Sequence, residues 1–176
     1  MVSSAAGGSP PLDYGVSKLV ALVGAALGAL GVANEAVGLL GTILYLVGFY
    51  SLSRYYREER MFYYALYSSV AWMVAAAVFA GLVAGAVFGG AALVLVALAL
   101  GLLLLWGAAI VAGYYKQRLM ELLAPHGDAK LAGLAGKLYW YGGLAAIIIV
   151  GLVIQSVAML VEVVVILSLQ PPGGGG

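Results

Sequence analysis

ALYSSVAWMVAAAVFAGLVAGAVF (Ala65–Phe88) and AALVLVALALGLLLLWGAAIVAGYY (Ala91–Tyr115) are separated only by Gly89-Gly90, and neither contains a charged residue. A membrane-crossing helix needs about 20 apolar residues at about 1.5 Å rise each. Both stretches therefore read as transmembrane helices joined by a short glycine turn. The rest of the chain points to the same medium. Of 176 residues, 65% are apolar and 9% charged, a balance that excludes a water-soluble globule of this size. Eight Lys and Arg stand against seven Asp and Glu, for a net charge of +1. That leaves no basic surplus for a phosphate backbone, so no nucleic-acid partner is expected. The absence of cysteine excludes disulfides and thiolate chemistry.

Working outward from the central pair, Leu19–Val32 and Val37–Leu52 are shorter apolar stretches separated by Asn34-Glu35. Burying those two polar residues would be costly, so the stretches are expected to form a short hairpin that turns at the far membrane surface. On the other side, Leu138–Leu169 is too long for one leg. As a single helix it would extend about 48 Å through a hydrocarbon core about 30 Å thick. It is expected to double back near Gln155-Ser156 as a second short hairpin. The fold expectation is an all-α, polytopic transmembrane helical bundle of six segments, two short hairpins flanking two full spans, with five or four segments as the alternatives. Aligning Lys18 with Lys137 also places Gly24 on Gly143, a weak internal echo of one hairpin in the other.

The domain expectation is a disordered tail over 1–17, a single transmembrane helical domain over 18–170 with a cytoplasmic loop at 116–137, and a disordered tail over 171–176. Pro10-Pro11, Pro171-Pro172 and the terminal glycines oppose helix in both tails. With six segments, all eight Lys and Arg residues fall on one side, which the positive-inside rule makes cytoplasmic. The localisation expected is a multi-pass protein of the cell membrane with its N-terminus and main charged loops in the cytoplasm. Tyr55, Tyr56, Tyr114, Tyr115 and Trp140 lie near those charges and are expected as interfacial anchors. The turn near Arg57–Arg60 has no Gly or Pro, and an Arg54–Glu58 pair at i,i+4 is its expected support. Within 116–137, Leu119, Leu122 and Leu123 suggest that the fourth helix continues along the interface, apolar side toward lipid. Pro125–Asp128 then breaks it, with Asp128 as N-cap of a new helix presenting Leu131, Leu134 and Leu138 on one face.

Helices in lipid associate through small residues. Gly24 and Gly28 form one such stripe, and Gly81, Gly85 and Gly89 another; both are expected to be helix-packing faces. Glu162 is the one ionisable residue that the second hairpin would place at membrane depth, where ionisable groups are functional candidates by default. Gln155, Thr42 and Tyr45 are its expected partners, and Glu162, Gln155 and Thr42 form the candidate intramembrane polar site. His126 is the single histidine and has only Asp128 nearby, too little for a metal site or proton relay. No nucleophile elbow or phosphate loop is present. No catalytic, metal or cofactor site is expected, and an enzyme is disfavoured.

The stretch GLLGTILYLVGFYSLSRYYREERMFYYAL (Gly38–Leu66) resembles a largely archaeal family of small polytopic membrane proteins catalogued as domain of unknown function nine-nine-six. The resemblance rests on a glycine-spaced apolar helix running into Leu52-Ser53-Arg54-Tyr55-Tyr56, then the charged turn Arg57–Arg60 and Phe62. It extends over roughly Lys18–Leu169. It implies a polytopic membrane protein of archaeal type, and it brings no activity, cofactor or catalytic residue with it. Two functions remain. The leading one is a structural or accessory subunit or assembly protein, whose partners would be the lipid bilayer, other membrane subunits or a second copy. The alternative is a small proton-linked or small-solute transporter or channel, motivated by Glu162.

Overall fold

The computed structural model describes residues 12–30, 34–147 and 149–172. The described residues form six α-helices and no strand: α1 (Tyr14–Leu30), α2 (Glu35–Tyr56), α3 (Glu59–Val87), α4 (Ala91–Leu123), α5 (Ala129–Leu144) and α6 (Ile149–Ser168). Residues 1–11 and 173–176 of the two expected tails lie outside the described residues. Each helix packs on the next in the chain, and α6 packs back on α1. The bundle is thus a ring closed in chain order, an all-α polytopic membrane architecture.

Three segments are long and apolar enough to cross a membrane: Ala36–Tyr56, Glu59–Val87 and Ala91–His126. The second leg of the first hairpin is therefore longer than the sequence suggested. Its helix continues past Leu52 through Tyr56, where Tyr55 and Tyr56 donate to the Leu12 and Gln170 carbonyls of neighbouring segments. α1 and Val153–Ser168 are apolar but shorter.

The second hairpin exists, but its reversal is not at Gln155-Ser156. α5 ends at Leu144, a single 3-10 turn covers Ala145–Ile147, and α6 begins at Ile149. Gly151 makes this possible, since a methyl group there would overlap the Ala145 carbonyl. Gln155 and Ser156 lie within α6. Within 116–137 the expected continuation of the fourth helix and new helix after Asp128 are both present, since α4 runs to Leu123 and α5 starts at Ala129.

Two further expectations are corrected here. Leu119, Met120 and Leu123 are fully buried against Phe49, Leu52, Met61 and Ile166, so the end of α4 faces the protein core and not lipid. In α5 the inward face carries Ala132, Ala135 and Tyr139, while Leu134 is 47% exposed. Small residues win there because α4 lies too close for leucine: a methyl on Gly113 would overlap the Tyr139 carbonyl, and one on Gly143 the Ala109 carbonyl.

The caps agree with the sequence. Asp128 accepts from the Lys130 and Leu131 amides at 2.9 and 3.1 Å, and Asn34 from those of Ala36 and Val37 at 3.0 and 3.3 Å. The α2–α3 turn uses a device the sequence did not advertise. Arg57 adopts φ 55°, the left-handed conformation usually given to glycine, and the Glu58 amide donates to the Ser53 carbonyl at 3.0 Å. This swings Glu58 off the helix line. The expected Arg54–Glu58 pair is replaced by Arg54–Glu59 at 3.7 Å and Arg60–Glu58 at 3.0 Å.

Candidate functional site

The six-helix ring forms a partly open cavity of 660 Å³ to which every helix contributes lining residues, among them Gly24, Thr42, Ser68, Ala112, Tyr139 and Glu162. The close approach of α1 to α2 helps shape it. A methyl on Gly24 would overlap the backbone of Tyr45, one on Gly41 the backbone of Gly28, and one on Gly48 that of Ala21. Two of the glycines read from sequence, Gly24 and Gly28, thus sit at a helix contact. Gly81 and Gly85 do not: a methyl at either would meet nothing within 4 Å. A methyl on Gly89 would meet only the side chain of Leu93, in the next helix turn of the chain.

At one wall of the cavity lies a buried ion pair. Glu162 of α6 is 2% exposed, and Lys116 of α4 donates to its Oε1 at 2.8 Å and its Oε2 at 2.9 Å. Tyr45 of α2 donates to Oε1 at 2.6 Å, and Tyr139 of α5 donates to Oε2. The Lys116 ammonium also donates to the Tyr45 hydroxyl at 2.7 Å and sits over two rings, 4.1 Å from the centroid of Tyr45 and 5.3 Å from that of Tyr139. Four helices therefore converge on one carboxylate. Its charge is offset by an ammonium and its lone pairs are taken by hydroxyl donors, the conditions under which a desolvated ion pair is tolerated.

Of the polar site read from sequence, Glu162 is buried within the bundle and Tyr45 is its partner. Thr42 donates instead to the Gly38 carbonyl of its own helix at 2.9 Å. Gln155 does not reach Glu162 either. It lines the cavity two turns away along α6, 8% exposed. Lys116 and Tyr139 were missed. By sequence Lys116 is one of the eight cytoplasmic-side cations, and Tyr139 lies beside Trp140 among the interfacial aromatics. The signal for Lys116 was the carboxylate itself: a single buried charge needs an opposite one at the same depth, and Lys116 is the first cation after the uncharged run Ala91–Tyr115.

The tyrosines expected as anchors do more specific work. Tyr55 donates to the Leu12 carbonyl at 3.0 Å and Tyr56 to the Gln170 carbonyl at 2.7 Å, so this pair ties both ends of the described chain to α2. Tyr56 also stacks on His126 with centroids 4.0 Å apart. Tyr115 packs 5.1 Å from Tyr67, and Tyr114 is 6.3 Å from Trp140.

A closed ring of apolar helices around a cavity with an internal ion pair defines a polytopic helical membrane protein. Within that class, the chain belongs to the family described as Protein of unknown function (DUF996), whose model matches residues 37–160. The matched span contains Tyr45, Lys116, Tyr139 and Gln155. The chain is also similar to an uncharacterized protein of Methanocaldococcus jannaschii, 24% identical over a 163-residue alignment, with 88% of each chain covered. No solved structure gives a match.

Proposed function

We propose that the protein is a small, non-catalytic membrane transporter that admits a small solute to its central cavity and couples this to a proton through Glu162 and Lys116. The observation that carries the reading is the ion pair at the cavity wall. Replacing a buried ion pair by apolar residues of similar volume is often neutral or stabilising, so stability alone gives little reason to hold a carboxylate and an ammonium among apolar helices. Protonation of Glu162 would cancel its attraction for Lys116 and loosen α6 from α4, giving the ring two arrangements that differ by one proton. The cavity reverses the order that the sequence favoured, in which an accessory subunit came first. Under the positive-inside rule the end carrying Arg54–Arg60 and Arg118 is cytoplasmic.

The test is reconstitution of the full chain in liposomes loaded with a pH-sensitive dye. The expected result is a protein-dependent relaxation of an imposed pH gradient that Glu162→Gln abolishes. A gradient that decays equally with wild type, variant and empty liposomes overturns the reading. A second reading, an accessory subunit bound to another membrane protein or to a second copy, is favoured by the outward-facing Gly81 and Gly85 of α3, which no helix of this chain approaches. Crosslinking in native membranes followed by mass measurement decides it: a partner captured at α3 supports that role, and a single uncrosslinked species removes it.

A further inference from the structure

We propose that the cavity takes an uncharged amphiphile, an apolar body with one amide-like head that both donates and accepts hydrogen bonds, and that Gln155 is the group that holds this head. The inference rests on the solute-binding reading above and assigns its ligand class. The two charges at the site are already spent on each other. Lys116 donates to both oxygens of Glu162 and to Tyr45, while Tyr45 and Tyr139 donate to Glu162. An anionic or cationic ligand could pair only by breaking that set.

The hydroxyls on the wall have also spent their donors. Thr42 donates to the Gly38 carbonyl, and Ser68 and Ser69 both donate to the Ala65 carbonyl. Gln155 differs. It is 8% exposed, lines the cavity and makes no hydrogen bond among the described residues. No sealed side-chain nitrogen or oxygen among those residues lacks a partner. The Gln155 amide therefore reaches the open volume of the cavity and not a dry contact. Its unused groups are two N–H donors and one carbonyl acceptor, which a neutral amide matches with an acceptor and a donor side by side. A ligand head that fills the cavity displaces solvent from these groups, and only one that pairs with them avoids the cost of leaving them buried and unpaired. The remaining wall near it is apolar, with Trp72, Met73, Met159 and Leu160. The volume of 660 Å³ falls within the range of about 300–1,000 Å³ usual for small-molecule sites.

The experiment uses the full chain in mild detergent with Trp106→Phe and Trp140→Phe, which leaves Trp72 as its one tryptophan. Its fluorescence is titrated with hexanamide, hexanoate and hexylammonium. The expected result is saturable binding of hexanamide, about tenfold tighter than either ion, and weakened about tenfold by Gln155→Met, which keeps the side-chain length but not the hydrogen bonds. A charged compound binding as tightly as hexanamide overturns the assignment, as does saturable hexanamide binding that Gln155→Met leaves unchanged, or no saturable binding of any of the three. The ligand series needs no change at Gln155, so it decides even if that variant misfolds. If hexanamide fails while Glu162→Gln still abolishes the pH-gradient relaxation, the ligand class is wrong and the transporter reading stands. If both fail, the transporter reading falls with it.

Discussion

The two ends of the ring are built on different principles. At the charged end, α2, α4 and α6 finish while α1, α3 and α5 begin, and their side chains interlock: Phe49, Leu52, Met61, Leu119, Met120, Leu123 and Ile166 are all fully buried. Polar bonds cross between elements there, from Lys18 to the Leu169 carbonyl at 2.8 Å and from the Gln170 amide to the His126 carbonyl at 2.8 Å. At the opposite end, α3 and α4 have mainly each other. Phe88 is 93% exposed and Leu95 68%, and Phe79 lies against Gly101. Lipid is as apolar as leucine, so side chains facing it gain nothing by turning inward. The contrast teaches that only one end of this bundle needs to hold its shape, and the ion pair lies beside that end.

The sharpest way to break the contrast is to remove one charge from the closed end. Lys116→Met leaves Glu162 buried without its counter-charge and is expected to destabilise the protein by about 3–5 kcal/mol, read as a large fall in the thermal midpoint in mild detergent. The double variant Lys116→Met with Glu162→Gln, whose amide oxygen can still accept from the tyrosine hydroxyls, should recover most of that loss. A double variant as unstable as the single one would mean that the pair itself, and not the uncompensated charge, sustains the fold.

Next in size are the glycines. Gly48→Ala forces a methyl into the backbone of Ala21 and is expected to cost about 1–3 kcal/mol, measured the same way. Gly81→Ala and Gly85→Ala, at the open end, should leave stability unchanged or raise it by up to about 1 kcal/mol each, since alanine is the better helix former and nothing opposes the methyl. Equal losses at Gly48 and Gly81 would erase the distinction between the two ends. The smallest effect is expected at the α2–α3 turn. Arg57→Gly relieves a left-handed residue and should stabilise by about 1 kcal/mol, seen as a small rise in the same midpoint. A fall instead would show that the Arg57 side chain contributes more than its backbone costs.

The six segments, the central spans and the helix cap at Asp128 were legible because each depends on local chemistry: an uncharged apolar run, or a short side chain beside free amides. The reversal after α5 was not. It is set by the contact of Gly151 with the Ala145 carbonyl across a 3-10 turn, and nothing around Ala145–Ile147 looks polar or helix-breaking. The Arg57 turn was illegible for a related reason, since an arginine gives no sign that it will take a glycine conformation. At the site, Glu162 stood out because a carboxylate in an apolar run is conspicuous. Lys116 and Tyr139 did not, because each lies at the edge of an apolar stretch where cations and tyrosines are common. Only the ring, which returns α6 to the side of α4 and α5, brings those edges to the depth of Glu162.

Closure in chain order also gives the protein an order of construction. Tyr45, Lys116 and Tyr139 are all synthesised before Glu162, the last of the four groups to leave the ribosome. Until α6 is made, the ammonium lacks the carboxylate it pairs with in the folded chain and α1 lacks the neighbour that closes the ring. Arrival of the carboxylate neutralises the ammonium and closes the ring in one event, so the step that finishes the wall also finishes the site.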